Sequence, residues 1–60
     1  KGEINLMIEI LFQNGHFMTY KPDDYTDYIY DGKYFIVLYD KQWIGLYNLS
    51  CIEYINVERA

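Results

Sequence analysis

Hydrophobic and polar positions alternate along the first part of the chain. Ile4, Leu6, Ile8, Ile10 and Phe12 stand between Asn5, Met7, Glu9, Leu11 and Gln13. A period of two over this length predicts a β-strand, because successive side chains of a strand point to opposite faces. The pattern stops at Asn14-Gly15, a pair suited to a two-residue type I′ hairpin turn in which both residues take positive φ. Residues 16–20 form the returning strand. That turn would set Phe12 opposite Phe17, Leu11 opposite Met18 and Ile10 opposite Thr19, placing Ile10, Phe12 and Phe17 on a core face. The other face would carry Met7, Leu11, Met18 and Tyr20 beside Glu9, Gln13 and His16, so it is partly apolar too.

Lys21-Pro22-Asp23-Asp24 reads as a loop, since proline presets φ and aspartate favours turns. Residues 25–30 predict a short tyrosine-rich strand with Tyr28 and Tyr30 on one face and Ile29 on the other. Asp31-Gly32 then turns the chain into Tyr34-Phe35-Ile36-Val37-Leu38-Tyr39, which has no polar alternation at all. A run this short, rich in β-branched and aromatic residues, predicts a central strand covered on both faces. Asp40-Lys41-Gln42 turns the chain again into a strand over 43–48, where Gly45 predicts a bulge or a sharp bend.

Beyond Asn48 the period breaks. Leu49, Ile52, Ile55 and Val57 do not fit one face of a straight strand. One tight helical turn over 49–52, with Ser50 near its start, followed by a strand over 53–57, resolves the conflict, and residues 58–60 are expected to fray. The fold class is therefore all-β. It is a single small domain of five or six short antiparallel strands, a curled meander or small barrel with one helical turn before the last strand.

Strand count and pattern resemble an SH3-like barrel. Residues 31–57, with the Asp31-Gly32 turn, the apolar strand, Trp43-Ile44-Gly45 and the closing Ile52 and Ile55, also resemble short β-rich proteins of bacterial phages, prophages and plasmids. The resemblance implies a mobile-element setting and carries no activity with it.

Sixty residues make one domain, in which folding buries only about 60% of the surface the unfolded chain exposes. Domains of this size commonly rely on a disulfide, a metal or a partner subunit. The single Cys51 excludes an internal disulfide, and such cysteine usage points to the cytoplasm. No stretch approaches the roughly 18 apolar residues of a membrane helix, and no signal peptide is legible, so no membrane association is expected. A start at Lys1 rather than Met is what a processed chain or part of a longer one would be expected to show.

Charge sharpens the picture through its placement. The net charge is −4, and Asp23, Asp24, Asp27 and Asp31 lie between Lys21 and Lys33 with no base among them. The remaining acids and bases balance.

Candidate chemistry is sparse. Cys51 and His16 would need to sit within hydrogen-bond reach, with a third group orienting the base, to act as a nucleophilic pair, and Cys51 reads instead as a small hydrophobe. The aspartates lack the alternation and the closing glutamate of a calcium loop. The tyrosines and Trp43 suit base stacking, but five scattered bases supply no phosphate-neutralising groove, so no direct nucleic-acid contact is expected. No catalytic residue, cofactor or metal site is expected either.

What remains is a non-enzymatic protein–protein interaction module. The acidic tyrosine segment of Asp23, Asp24, Tyr25, Asp27, Tyr28 and Tyr30 would select a protein partner with a basic surface. The apolar hairpin face of Met7, Leu11, Met18 and Tyr20 would bury against that partner or against a copy in a homo-oligomer. The alternative is a phage or mobile-element inhibitor that blocks a host defence or nucleic-acid enzyme through its acidic surface.

Overall fold

The computed structural model describes residues 6–59. Six strands follow in order: β1 (Leu6–Phe12), β2 (Phe17–Tyr20), β3 (Asp27–Tyr30), β4 (Tyr34–Tyr39), β5 (Gln42–Asn48) and β6 (Ile52–Arg59). They form two three-stranded antiparallel sheets, one ordered β2-β1-β6 and the other β3-β4-β5. The fold is all-β, with short 3₁₀ turns at Pro22–Asp24 and Leu49–Cys51. The second of these immediately precedes the last strand, as the broken period requires. Ile4 and Asn5, the start of the predicted first strand, lie outside the described residues, as does Ala60.

The sheets face each other across one core. Ile8, Ile10, Tyr20 and Ile52 enter it from the first sheet and its flank, and Phe35 and Val37 from β4. Phe12, Ile55 and Val57 add to it from the first sheet, and Tyr28 and Tyr47 from the second. Ile52 and Ile55 share the inner face although they are three apart, because β6 pairs Tyr54 with Leu11 and Ile52 with Phe12 and so bulges at Glu53. The predicted helical turn was therefore half of the repair, and a bulge is the other half. The end of β6 does not fray: Glu58 and Arg59 pair with Met7 and Leu6.

A polar link crosses between the sheets. The hydroxyls of Tyr20 on β2 and Tyr47 on β5 lie 2.5 Å apart, and the Tyr47 hydroxyl also donates to Met18 Sδ at 3.1 Å. Gly45 makes room for this pair, since a Cβ there would stand 2.5 Å from the Tyr20 hydroxyl oxygen. The register of β4 against β5 slips beside it, where Val37 faces Gly45 and Leu38 faces Trp43, so the expected bulge is present.

Two expectations are corrected. The first concerns the hairpin. Leu11 faces Phe17 and Ile10 faces Met18, one residue away from the predicted register. The loop holds three residues rather than two: Phe12 N–H donates to His16 O at 2.9 Å, and the Asn14 side chain accepts from His16 N–H at 3.0 Å. Gly15 has φ +91° while Asn14 is not in the left-handed region, so the turn is the three-residue kind closed by a left-handed glycine. A one-residue shift exchanges the faces of the whole strand. Phe17 moves to the outer face, and Met18 and Tyr20 move to the inner one, with Tyr20 buried.

The type I′ geometry instead occurs between β4 and β5, where Asp40 and Lys41 take φ of 52° and 72°.

The second correction concerns β4. It is the centre of the second sheet, and Phe35, Ile36 and Val37 are all buried, but on the far face Ile36 is buried beside its cross-strand neighbours Ile29 and Leu46, which are themselves exposed.

Candidate functional site

Strand alternation places Phe35 and Val37 in the core and Tyr34, Ile36 and Leu38 on the far side of the second sheet. Cross-strand pairing extends that outer face. Ile29, Ile36 and Leu46 form one row across β3, β4 and β5, and Asp27, Leu38 and Trp43 form the next. Directly opposed residues of an antiparallel pair point to the same side, so each row is a contiguous strip. Ile36 is 6% exposed and sheltered by its own neighbours, but Ile29, Leu46 and Trp43 are 42%, 52% and 61% exposed. The outer face of the second sheet thus leaves the apolar side chains of Ile29, Leu46 and Trp43 exposed.

Its β3 border is acidic. Asp27 and Asp31 flank Ile29 at the two ends of β3. Asp31 is fixed in place, since its Oδ1 accepts from Tyr34 N–H at 2.7 Å and from Lys33 N–H at 2.9 Å. Those two donors, Tyr34 first, hold its carboxyl below the usual aspartate range. It stays ionised and pins the turn into β4. Asp24 Oδ2 accepts from Lys21 N–H at 2.9 Å across the Pro22–Asp24 turn, and Asp27 Oδ1 accepts from Tyr28 N–H at 2.7 Å. Asp24, Asp27 and Asp31 therefore shape the backbone while presenting charge to water. Asp23 is exposed as well.

The predicted contact residues divide. Met7 and Leu11 lie on the outer face of the first sheet, where Phe17, Leu11 and Tyr54 make a short apolar row. Met18 and Tyr20 are on the inner side and belong to the Tyr20–Tyr47 link. Tyr25 and Tyr28 pack against the core rather than standing free. The Tyr25 hydroxyl donates to Leu6 O at 2.8 Å, its ring meets those of Tyr20 and Tyr28, and burial first and Tyr28 second raise its pKa. The Tyr20 phenol is pushed well above the tyrosine range, chiefly by burial and then by the hydrogen bond with Tyr47. Tyr30 is exposed and lines a shallow cleft with Ile52, Glu53 and Tyr54. Among the expected set, the acids and Tyr30 stay at the surface, and the other tyrosines hold the fold.

Ile29, Trp43 and Leu46 were absent from the expected contact set. The signal lay in the unbroken run at 34–39, whose second set of side chains needs a cover that this chain does not supply among its described residues.

Cys51 is an exposed free thiol, and no group of three or more metal-ligating side chains converges among the described residues. No helix there is long and apolar enough to cross a membrane. No protein-family model matches the chain, and neither a curated protein nor a solved structure is significantly similar to it.

Proposed function

We propose that this chain is a non-enzymatic protein-interaction module that docks through the outer face of β3-β4-β5. Its partner is a cytoplasmic protein whose surface has an apolar centre and a basic border. The observation that carries this reading is the exposure of Ile29, Leu46 and Trp43 around the buried Ile36 on that face. Each Å² of apolar surface kept from water contributes roughly 25 cal/mol, so a small domain that leaves such a strip exposed forgoes stability it has little of. A face that gains its cover on binding accounts for that cost. Tryptophan in such a strip is a typical interface anchor. The acidic border at Asp27 and Asp31 supplies the complement to a basic surface, and these local carboxylates oppose stacking two copies on this face.

The test is capture of the partner from the source cell, followed by reconstitution from purified components. Leu46→Asp should keep the fold and weaken binding by about 2 kcal/mol, roughly 30-fold. Asp27→Asn should slow association and flatten its salt dependence. A folded Leu46→Asp protein that binds the reconstituted partner like the wild type would remove this face from the account.

A further inference from the structure

β6 is the longest strand among the described residues and an edge strand, paired with β1 on one side and with no described strand on the other. Its inward residues Ile55 and Val57 are only half-buried, and a shallow cleft lined by Tyr30, Ile52, Glu53, Tyr54 and Ile55 opens beside Ile55. An unpaired edge of this length offers a row of backbone donors and acceptors to another strand. Proteins usually guard such an edge with charges, and β6 does carry Glu53, Glu58 and Arg59. Their arrangement suits a different end.

We propose that β6 pairs antiparallel with β6 of a second copy, joining the two β2-β1-β6 sheets into one continuous six-stranded sheet. This inference is independent of the docking face on the second sheet. Two-fold symmetry restricts the geometry sharply. An axis that makes two edge strands antiparallel must stand normal to the sheet, which keeps both inner faces on the same side. Directly opposed residues then point the same way, so one residue must face its own copy at the axis.

Few centres are possible, and they differ in what they oppose. Centring on Ile55 sets Ile52 against Glu58 and Glu53 against Val57. Centring on Val57 sets Ile55 against Arg59. Centring on Glu58 brings two carboxylates together. Centring on Asn56 sets Ile55 against Val57, Glu53 against Arg59 and the tyrosine ring of Tyr54 against Glu58, each pair occurring twice, and places the axis on a neutral amide. Of these registers, only the Asn56 register matches apolar with apolar and acid with base. Glu53 and Arg59 are both exposed, and their long side chains can meet although Glu53 sits at the bulge. The second copy is selected by this pattern, because an unrelated strand would have to reproduce it.

Sedimentation velocity across concentration reads the assembly directly. The wild type should reach twice the chain mass by about 100 μM, the range of a small edge-to-edge contact. Arg59→Glu replaces both cross-axis attractions with repulsions and should weaken dimerisation by about tenfold or more. Glu53→Arg combined with Arg59→Glu restores the pairing with its signs reversed and should return the affinity to within about threefold of the wild type. Circular dichroism on each variant shows that the sheets are intact. A wild-type monomer at the highest concentration overturns the proposal, as does a folded Arg59→Glu protein that dimerises unchanged, or a folded double variant as weak as the single one. A dimer lost with Leu46→Asp but kept with Arg59→Glu would also overturn it, since the copies would then meet through the second sheet.

Discussion

Gly45→Ala should destabilise this domain, and the sign of the effect is the point of interest. Gly45 does not have positive φ, so alanine can adopt its backbone without strain. At such a site the substitution ordinarily stabilises a protein by about 0.4–1 kcal/mol, through the unfolded chain. Here the added methyl would lie 2.5 Å from the Tyr20 hydroxyl oxygen, 2.9 Å from Tyr47 Cε2 and 3.0 Å from the Tyr47 hydroxyl oxygen. Ordinary contact begins near 3.5 Å, so the Tyr20 hydroxyl must retreat by about 1 Å and the Tyr47 ring by roughly half that. Neither is free to do so, since Tyr20 is buried and Tyr47 packs against the core and against Phe12.

Overpacking of this kind costs about 1–3 kcal/mol, and parting the two hydroxyls costs about 1 kcal/mol more. The net loss is about 2 kcal/mol, set against a total of roughly 3–9 kcal/mol for a domain of this size. Urea denaturation followed by Trp43 fluorescence and circular dichroism gives the difference. In a Tyr20→Phe background the closest contact is gone, so the same glycine change should cost about 1 kcal/mol less. A Gly45→Ala protein with a urea midpoint at or above that of the wild type would refute the reasoning.

Two further outcomes are expected. Stability should hold through neutral pH and fall above about pH 10: there an unfolded Tyr20 ionises while the folded one, its pKa raised by burial, keeps its proton, so the unfolded state binds fewer protons as pH rises. Urea midpoints from pH 8 to 11 measure this, Tyr20→Phe should lessen the decline, and a midpoint that stays level or rises above pH 10 would contradict it. Lys41→Gly should raise stability by about 0.5 kcal/mol, because Lys41 holds φ of 72° in a type I′ turn that favours glycine at its second position. A lower urea midpoint would count against that turn assignment.

Much of the architecture was legible from periodicity. The alternation before Asn14, the apolar run at 34–39 and the broken period after Asn48 correspond to β1, β4 and the Leu49–Cys51 turn with β6. What escaped was register. Asn14-Gly15 fits two loop geometries that differ by one residue, and the choice rests on whether Asn14 or Gln13 begins the turn. That choice decides whether Phe17 or Met18 faces inward, so the expected contact face of the hairpin changed with it. The candidate site escaped for a related reason. A wholly apolar strand states that both of its faces favour cover, and nothing in its own residues says whether the cover comes from this chain.

The pairing of Leu6 with Arg59 has a mechanical consequence. β1 and β6 run antiparallel, so the outer ends of the described chain leave the domain side by side at the same end of the ladder. Tension applied through those ends acts across the strands, along the hydrogen bonds, and meets them one pair at a time. The ladder therefore peels like a zipper instead of resisting in shear as a block. Pulled apart through both ends, the β1–β6 ladder would open at low force, starting with Arg59 and Glu58 and advancing toward the bulge at Glu53.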